Sequence, residues 1–255
     1  MSQVVKPLRI AFLSDTHFVE ADDFNYKQWQ MALEKAKSTD PDIYLVGGDI
    51  TNSGSKKEAE LFFASIKDIN KPVLFVPGNH DIGNKVFEGV EGTITSERIA
   101  YYRENFGPDF YAENHHGYQF IMLNSQLFQS GLPEEKEQMS FLKKQLEVEG
   151  PKIILIHNPL FLNCVDEPGG NYWNAEPEVR KEILDLLAGK GVVAVLSGHM
   201  HKLIVNCTDI LHLSCPPTSF GVPEIHLGQG FVVLDVTPSN IHFQLYHVES
   251  LYEKP

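Results

Sequence analysis

The sequence predicts an α/β protein, chiefly because short apolar runs alternate with amphipathic segments along most of the chain. Such an alternation is required when parallel strands are joined by crossover helices. A length of 255 residues, with 42% hydrophobic and 22% charged residues, fits one globular α/β core. We therefore expect a single domain over residues 1–255.

The first third of the chain is predicted to have the order β-α-β-α-β. Apolar runs predict three strands, at Leu8–Leu13, Ile43–Val46 and Val73–Val76. Helical patterns lie between them, at Tyr26–Lys37 and Lys56–Ile69. Ser55 and Glu58 have the spacing of a capping box, which marks the start of the second helix.

The alternation of apolar runs and amphipathic segments becomes less regular after Asp81. Residues 82–117 contain several glycines and a Gly107-Pro108 break around a predicted helix at Ser96–Asn105, so we expect an insertion near the functional site. Strands are then predicted at residues 118–123, 152–156 and 192–196, with helices at residues 134–148 and 178–188. From Leu203 onward only strand patterns occur, at residues 204–207, 210–213, 231–235 and 241–246, and we expect them to form a closing β-meander.

Charge and cysteine content narrow the class of protein. A formal net charge of −13 argues against sequence-independent binding to a nucleic-acid backbone, which draws its free energy from basic residues. Cys164, Cys207 and Cys215 are odd in number and far apart, so we expect reduced thiols.

Met1–Leu8 lacks the apolar stretch of a signal peptide, and no later run is long enough to span a bilayer. We expect a cytoplasmic protein without membrane attachment.

Side chains that can bind metals follow five of the predicted strands directly. They are Asp15, His17, Asp49, Asn79, His157, His199 and His201. In an open α/β sheet, ligands bind just beyond the carboxyl ends of the strands, so these side chains are expected to converge at one edge.

The donor types of this set favour hard or borderline metal ions. Carboxylates, imidazoles and one amide oxygen, without a thiolate, suit Mn, Fe or Zn. Seven ligands overfill a single tetrahedral site, whereas two ions about 3.5–4 Å apart can share a carboxylate. The sequence therefore predicts two divalent or trivalent metal ions and leaves their identity open.

These motifs resemble those of a known family. Asp-x-His, Gly-Asp, Gly-Asn-His-Asp, His and Gly-His-x-His, in this order from about Ile10 to His201, are similar to the calcineurin-like metallophosphoesterase superfamily. The resemblance implies a four-layer αββα sandwich of two packed mixed β-sheets. His157–Phe161 and Asn171–Asn174 look most like the single-domain calcineurin-like phosphoesterase-domain phosphatases.

The same resemblance implies a role for each motif residue. One metal would be held by Asp15, His17, Asp49 and His201, and the other by Asp49, Asn79, His157 and His199, with Asp49 bridging. His80 would be the catalytic histidine that contacts the phosphate and protonates the leaving oxygen. Asp81 would orient His80, and a hydroxide bridging the two metals would be the nucleophile.

The sequence leaves four functions open. The first is a phosphomonoesterase that acts on a phosphorylated small molecule or phosphoprotein. The second is a phosphodiesterase that acts on cyclic nucleotides or nucleotide diphosphate linkages. The third is a nuclease, against which the negative net charge argues, and the fourth is a scaffold without activity. We expect specificity to reside in residues 82–117 and 164–174, where Tyr172 and Trp173 either stack on a substrate ring or pack in the core. The sequence makes no prediction of oligomeric state.

Overall fold

Two β-sheets form the centre of the computed structural model, which describes residues 5–21, 23–219, 228–249 and 251. The strands in this part of the chain are β1 (Leu8–Leu13), β2 (Ile43–Val46), β3 (Val73–Phe75), β4 (Tyr111–His115), β5 (Tyr118–Met122), β6 (Lys152–Leu155), β7 (Val192–Ser197), β8 (Ile204–Cys207), β9 (Leu211–Ser214), β10 (Gly230–Thr237) and β11 (Asn240–His247). The α-helices are α1 (Phe24–Lys37), α2 (Lys56–Ile66), α3 (Asn79–Ile82), α4 (Ser96–Asn105), α5 (Pro133–Leu146) and α6 (Pro177–Leu187).

Both sheets are mixed. The five-stranded sheet has the order β11-β10-β1-β2-β3, in which β1, β2 and β3 are parallel, β10 is antiparallel to β1, and β11 is antiparallel to β10. The six-stranded sheet has the order β4-β5-β6-β7-β9-β8, in which β5, β6, β7 and β9 are parallel. Because the parallel strands of each sheet end at one edge, the turns that follow them are brought together.

Three layers of buried apolar side chains hold the architecture together. Ile10, Phe12 and Leu45 of the first sheet pack with Phe120 and Leu155 of the second, which forms the core between the sheets. A second cluster places α1, α2 and α4 on the outer face of the five-stranded sheet. A third places α5 and α6 on the outer face of the six-stranded sheet. The four-layer αββα sandwich expected from the family resemblance is therefore confirmed.

Most helices and strands lie where the sequence pattern predicts them. Helix α2 begins at the predicted capping box, in which the Ser55 side chain accepts a hydrogen bond from the Glu58 backbone and the Glu58 side chain bonds back to the cap. Helix α4 has the predicted bounds. The one-turn helix α3 and the 3₁₀ turn at Ser125–Leu127 were not predicted, since each is too short to show a periodicity.

One expectation about strands was wrong, and one strand was not predicted. The last four strands do not form one meander, because β8 and β9 join the six-stranded sheet, where β9 pairs in parallel with β7, while β10 and β11 join the other sheet. In addition, β4 lies inside the segment expected to be an insertion, and it forms the edge strand beside β5. The pairing of β9 with β7 depends on contacts between separate segments, whereas β4 pairs with β5 across a short turn and was missed because its sequence is polar.

The described residues also bear on the membrane and cysteine expectations. None of their helices has both the length and the apolar character needed to cross a bilayer. Cys164 and Cys207 are exposed and Cys215 is buried, and all three are free thiols.

Candidate metal centre

The turns that follow the parallel strands of both sheets meet at one site. Asp15, Asp49 and Asn79 follow β1, β2 and β3 of the five-stranded sheet. His157 and His199 follow β6 and β7 of the six-stranded sheet. Two hydrogen bonds connect the two groups: the His157 Nδ1–H donates to the Gly47 carbonyl at 2.7 Å, and the His199 N–H donates to both Asp15 carboxylate oxygens at 3.2 Å.

The side chains form two overlapping sets of possible metal ligands. Donor atoms of Asp15, His17, Asp49 and His201 all lie within 4.8 Å of one another, and so do donor atoms of Asp49, His157 and His199. Asp49 belongs to both sets. The Asn79 Oδ1 lies 3.1 Å from the His157 Nε2, so the amide oxygen borders the second set. The structure thus brings together all seven residues that the sequence singles out.

The Nε2 atoms of three histidines face carboxylate oxygens across the site. His157 Nε2 lies 3.3 Å from Asp49 Oδ2, His17 Nε2 lies 3.6 Å from the same oxygen, and His201 Nε2 lies 3.3 Å from Asp15 Oδ1. The Nε2 of His199 is buried and has no hydrogen-bond partner among the described residues. A buried nitrogen without a donor or acceptor is destabilising unless an ion or water satisfies it, so the donor set fits metal ions.

The backbone at this site is unusual. Eight non-glycine residues in the described part of the chain have positive φ, and five of them are Asp15 (φ 55), His17 (φ 44), Asp49 (φ 48), His199 (φ 68) and His201 (φ 50). Such conformations cost about 1–3 kcal/mol each and persist only where the surroundings impose them. Their concentration at the predicted ligands indicates that packing holds these side chains in place at the expense of local backbone stability.

Two glycines permit the close packing of the turns. A Cβ on Gly78 would lie 2.8 Å from the Asp49 Cγ and closer still to its backbone nitrogen and Oδ1. A Cβ on Gly198 would lie 2.8 Å from the Asp15 Oδ2 and would overlap the Ser14 hydroxyl. Both positions therefore require glycine because no side chain fits between the turns.

The two carboxylates of the site are ionised in spite of their burial. Burial opposes the ionisation of Asp49, yet the field of the adjacent His157 ring holds the pKa of Asp49 well below its ordinary range. Burial also opposes the ionisation of Asp15, and His201 outweighs it and lowers the pKa of Asp15. An ionised carboxylate is the form that binds a metal.

The histidines divide into two groups by their pKa. Burial lowers the pKa of His17 to about 4 and that of His199 to about 3, so both rings are neutral at pH 7 and present a lone pair. Burial also lowers the pKa of His157, but the charge of Asp49 outweighs it and raises the pKa to about 9. At His157 Nε2, therefore, a proton and a metal ion compete for one lone pair.

The environment of His80 differs from the expectation. Its ring lies 4.6 Å from the His17 ring, centroid to centroid, and its backbone N–H donates to Asp49 Oδ1 at 2.9 Å. Its ring Nδ1 lies 2.8 Å from the carbonyl oxygen of Asn52, to which it donates. The backbone carbonyl of Asn52, rather than Asp81, thus orients the imidazole.

Asp81 instead holds the Asp49 turn. Its carboxylate accepts hydrogen bonds from the backbone N–H groups of Ile50, Thr51 and Gly78 at 3.1, 2.8 and 2.8 Å, and from the Thr51 hydroxyl at 2.6 Å. Burial, with the nearby charge of Asp49, raises the pKa of Asp81 to about 6. The expected role of Asp81 as the partner of His80 is therefore corrected to that of an anchor for the loop.

Tyr172 and Trp173 lie at the site rather than in the core. The Tyr172 ring centroid is 5.0 Å from that of His199, and the Trp173 ring centroid is 5.8 Å from it. Burial raises the pKa of Tyr172 to about 12, so its hydroxyl is protonated. The buried Lys85, which the sequence did not single out, donates to the carbonyls of Asn171 and Asn174 and so fixes this loop. Nothing in the sequence around Lys85 indicates that contact.

Comparison with known proteins places the fold and motifs in a family. The model of the calcineurin-like phosphoesterase family matches residues 8–203. The chain is 30% identical, over 72% of its length, to a Homo sapiens protein named serine/threonine-protein phosphatase CPPED1. It is 27% identical, over 63% of its length, to 3',5'-cyclic adenosine monophosphate phosphodiesterase CpdA of Haemophilus influenzae. The matched region spans 58% and 55% of these two relatives.

A solved structure supports the fold independently of these relatives. A dimetal phosphatase from Danio rerio superposes with a TM-score of 0.68 at 11% sequence identity, and the alignment covers 94% of this chain and 96% of that one. At this identity the likeness establishes the arrangement of strands and helices alone.

Proposed function

Because this chain belongs to the calcineurin-like phosphoesterase family, we propose that it hydrolyses phosphoric ester bonds with the help of two metal ions. The observation that carries the proposal is the pair of overlapping ligand sets that share Asp49. Two ligand sets that share one carboxylate can hold two ions close enough to act on one phosphoryl group.

The proposed ligands are those singled out by the sequence. Asp15, His17, Asp49 and His201 would hold one ion, and Asp49, Asn79, His157 and His199 would hold the other. When bound, the two ions supply a water nucleophile that is active at neutral pH and neutralise charge on the phosphoryl oxygens. The oxygen and imidazole donors suit Mn, Fe or Zn, and we propose that the native ions come from this group.

The protein's own residues would orient the substrate and supply a proton. The Nδ1–H of His80 is held by the Asn52 carbonyl, which leaves Nε2 as the atom that exchanges a proton with the leaving oxygen. His80 is exposed, so a substrate can reach it. The backbone N–H of His80 also donates to Asp49 and thereby couples the position of this residue to the shared ligand.

We propose phosphomonoesters as the preferred substrates, either phosphorylated small molecules or phosphoproteins. The relative named as a protein phosphatase supports this choice. The second candidate is phosphodiester hydrolysis, supported by the relative named as a cyclic nucleotide phosphodiesterase. A scaffold without activity has no need for seven converging ligands, and a net charge of −13 disfavours nucleic acid as substrate.

We make three further proposals, about the domain, the segment beside the site and the compartment. We propose that residues 1–255 form one domain, because the interface between the two sheets is a continuous apolar core. We also propose residues 82–117 as a segment that borders the site, since Lys85 contacts the Tyr172 loop. Three free thiols are consistent with a reducing compartment, and we propose the cytoplasm.

The proposal is tested by metal content and substrate choice together. Protein purified without chelator should carry about two equivalents of metal. It should hydrolyse 4-nitrophenyl phosphate faster than bis-4-nitrophenyl phosphate with added Mn²⁺, and EDTA should stop both reactions. Faster hydrolysis of the diester would support the second candidate instead. A folded protein that binds no metal and hydrolyses neither ester would refute both.

Two variants separate the roles within the site. His80→Ala should retain both metals and lose turnover by about 10²-fold or more, because it removes the proton donor and no ligand. Asp49→Ala should lose metal as well as turnover, because both ligand sets contain this carboxylate. Equal metal content in the two variants would contradict the bridging role of Asp49.

A further inference from the structure

Tyr172 and Trp173, which we call the aromatic wall, lie beside His199, a predicted ligand of the metal centre. Both rings contact the His199 imidazole, at centroid distances of 5.0 and 5.8 Å. The two rings also contact each other edge to face, at 5.2 Å and an interplanar angle of 79°. Any group attached to a phosphoryl group at this centre therefore begins within a few ångströms of the wall.

The loop that carries the wall has no regular secondary structure, yet it is fixed at several points. Lys85 is 95% buried, and its ammonium donates to the carbonyls of Asn171 and Asn174 at 2.8 and 2.6 Å. The Tyr172 hydroxyl donates to the Asn84 Oδ1 at 3.0 Å. These contacts come from the segment that follows α3, so a part of the chain distant in sequence holds the wall in one orientation.

The Arg180 guanidinium fixes the other side of this loop. It is 99% buried and donates to the carbonyls of Leu160, Val165, Glu167 and Ala175. A side chain that donates to four carbonyls leaves the loop few alternative conformations. The aromatic wall is therefore preorganised, and it would bind a ligand without the entropic cost of ordering a loop.

Trp173 is the unusual member of the wall. Half of its surface, 50%, is exposed, whereas the only other tryptophan of the sequence, Trp29, is 1% exposed. An exposed indole on a fixed loop beside a candidate active site is not needed for core packing. Rigid exposed aromatic rings are instead typical of binding sites, where their faces stack on planar groups.

We propose that the aromatic wall selects substrates whose leaving group carries a planar aromatic ring, with Trp173 stacking on that ring. This inference rests on the proposed phosphoesterase function. The ring can belong to a nucleobase or to a phenol, because an indole stacks on either planar ring. It applies to monoesters and diesters alike, because the ring is recognised apart from the phosphoryl group.

The test uses two matched pairs of substrates that differ in the ring. Adenosine 5'-phosphate is compared with ribose 5-phosphate, and phosphotyrosine is compared with phosphoserine. In each pair the ratio of kcat/KM for the ring-bearing ester to that for the ring-free ester is measured. The first pair reports a nucleobase and the second a phenol, so the pair with the larger ratio identifies the source of the ring.

Trp173→Ala should lower the larger of these ratios by roughly 10-fold, the usual effect of removing one stacking aromatic. Trp173→Phe keeps a planar face and should retain most of the ratio. Phe243→Ala is the matched control, because Phe243 is an exposed aromatic on β11, outside the loop that carries the wall. A ratio that is unchanged in Trp173→Ala, or an equal loss on both members of each pair, would overturn the proposal.

Fluorescence supplies a readout that does not depend on turnover. Because Trp29 is buried, quenching by an added ligand reports on Trp173. Adenosine 5'-phosphate or phosphotyrosine should quench the emission, the ring-free esters should not, and Trp173→Phe should abolish the effect. Quenching without hydrolysis of any ester would refute the proposed function. Hydrolysis without ring-dependent quenching would refute the role of the aromatic wall in specificity.

Discussion

Gly78→Ala should disable the metal centre although it alters no ligand. Gly78 has φ −101 and ψ −179, an extended conformation that alanine adopts without strain. The added Cβ would lie 2.8 Å from the Asp49 Cγ, and ordinary contact begins at 3.4 Å, so the carboxylate must shift by at least the difference, 0.6 Å. The Asp49 Oδ1, which accepts the His80 N–H, lies closer still and must move further.

The substitution should lower activity and stability by comparable free energies. Misplacing a reacting group by about 1 Å costs roughly 10²-fold, or about 2.7 kcal/mol, so kcat/KM should fall by about this factor. Overpacking should also lower the free energy of unfolding by about 1–3 kcal/mol. The assay combines 4-nitrophenyl phosphate hydrolysis, metal content and urea unfolding on the same preparation.

Gly131→Ala is the matched control for this substitution. A Cβ at Gly131 meets nothing within 4 Å, but its φ of +72 strains an alanine. This control should therefore lose about 1 kcal/mol of stability and keep full activity and metal content. If Gly78→Ala retains both metals and activity within about 2-fold, close packing of the turns does not position Asp49, and the reasoning is refuted.

Three further predictions concern stability. Asp81→Asn should lower the free energy of unfolding by about 2–3 kcal/mol, because the buried carboxylate accepts four hydrogen bonds; an unchanged urea midpoint would argue against its anchoring role. Burial lowers the pKa of His212 to about 4, so unfolding takes up a proton and stability is lost as pH falls below 6.5. Wild type should lose about 2 kcal/mol more than His212→Leu between about pH 7 and pH 5, and equal pH dependence would contradict this. EDTA should lower the Tm by several degrees, and an identical Tm would mean that no metal stabilises the fold.

Local pattern was sufficient to predict much of the fold and which residues meet at the candidate site. Strand β2 is wholly apolar, β1 is apolar apart from Arg9, and a motif residue, Asp49 or Asp15, follows each strand within a few positions. The family resemblance then supplied the two-sheet architecture, which periodicity alone did not. The ligand residues could be chosen because metal-binding side chains recur at the ends of strands.

Features with a weak local pattern, or that depend on tertiary contacts, were not predictable in this way. Strand β4 has the polar sequence YAENH and is half exposed, so nothing distinguishes it locally from a loop. The placement of β9 beside β7 depends on which edge of the sheet is open when it packs. Asp81 follows His80 directly, but its side chain turns to the backbone of the Asp49 loop, and adjacency in sequence does not determine that direction.

The pairing of β1 with β10 has a consequence for how the protein is made. Leu8 pairs with Val236, so the partners are separated by 228 positions, the difference of these numbers. A ribosome adding about 5–20 residues per second needs roughly 10–50 s to cover that distance. During this time one edge of an apolar strand has no partner, which invites association between nascent chains. Slow or interrupted translation should therefore increase aggregation of the nascent chain.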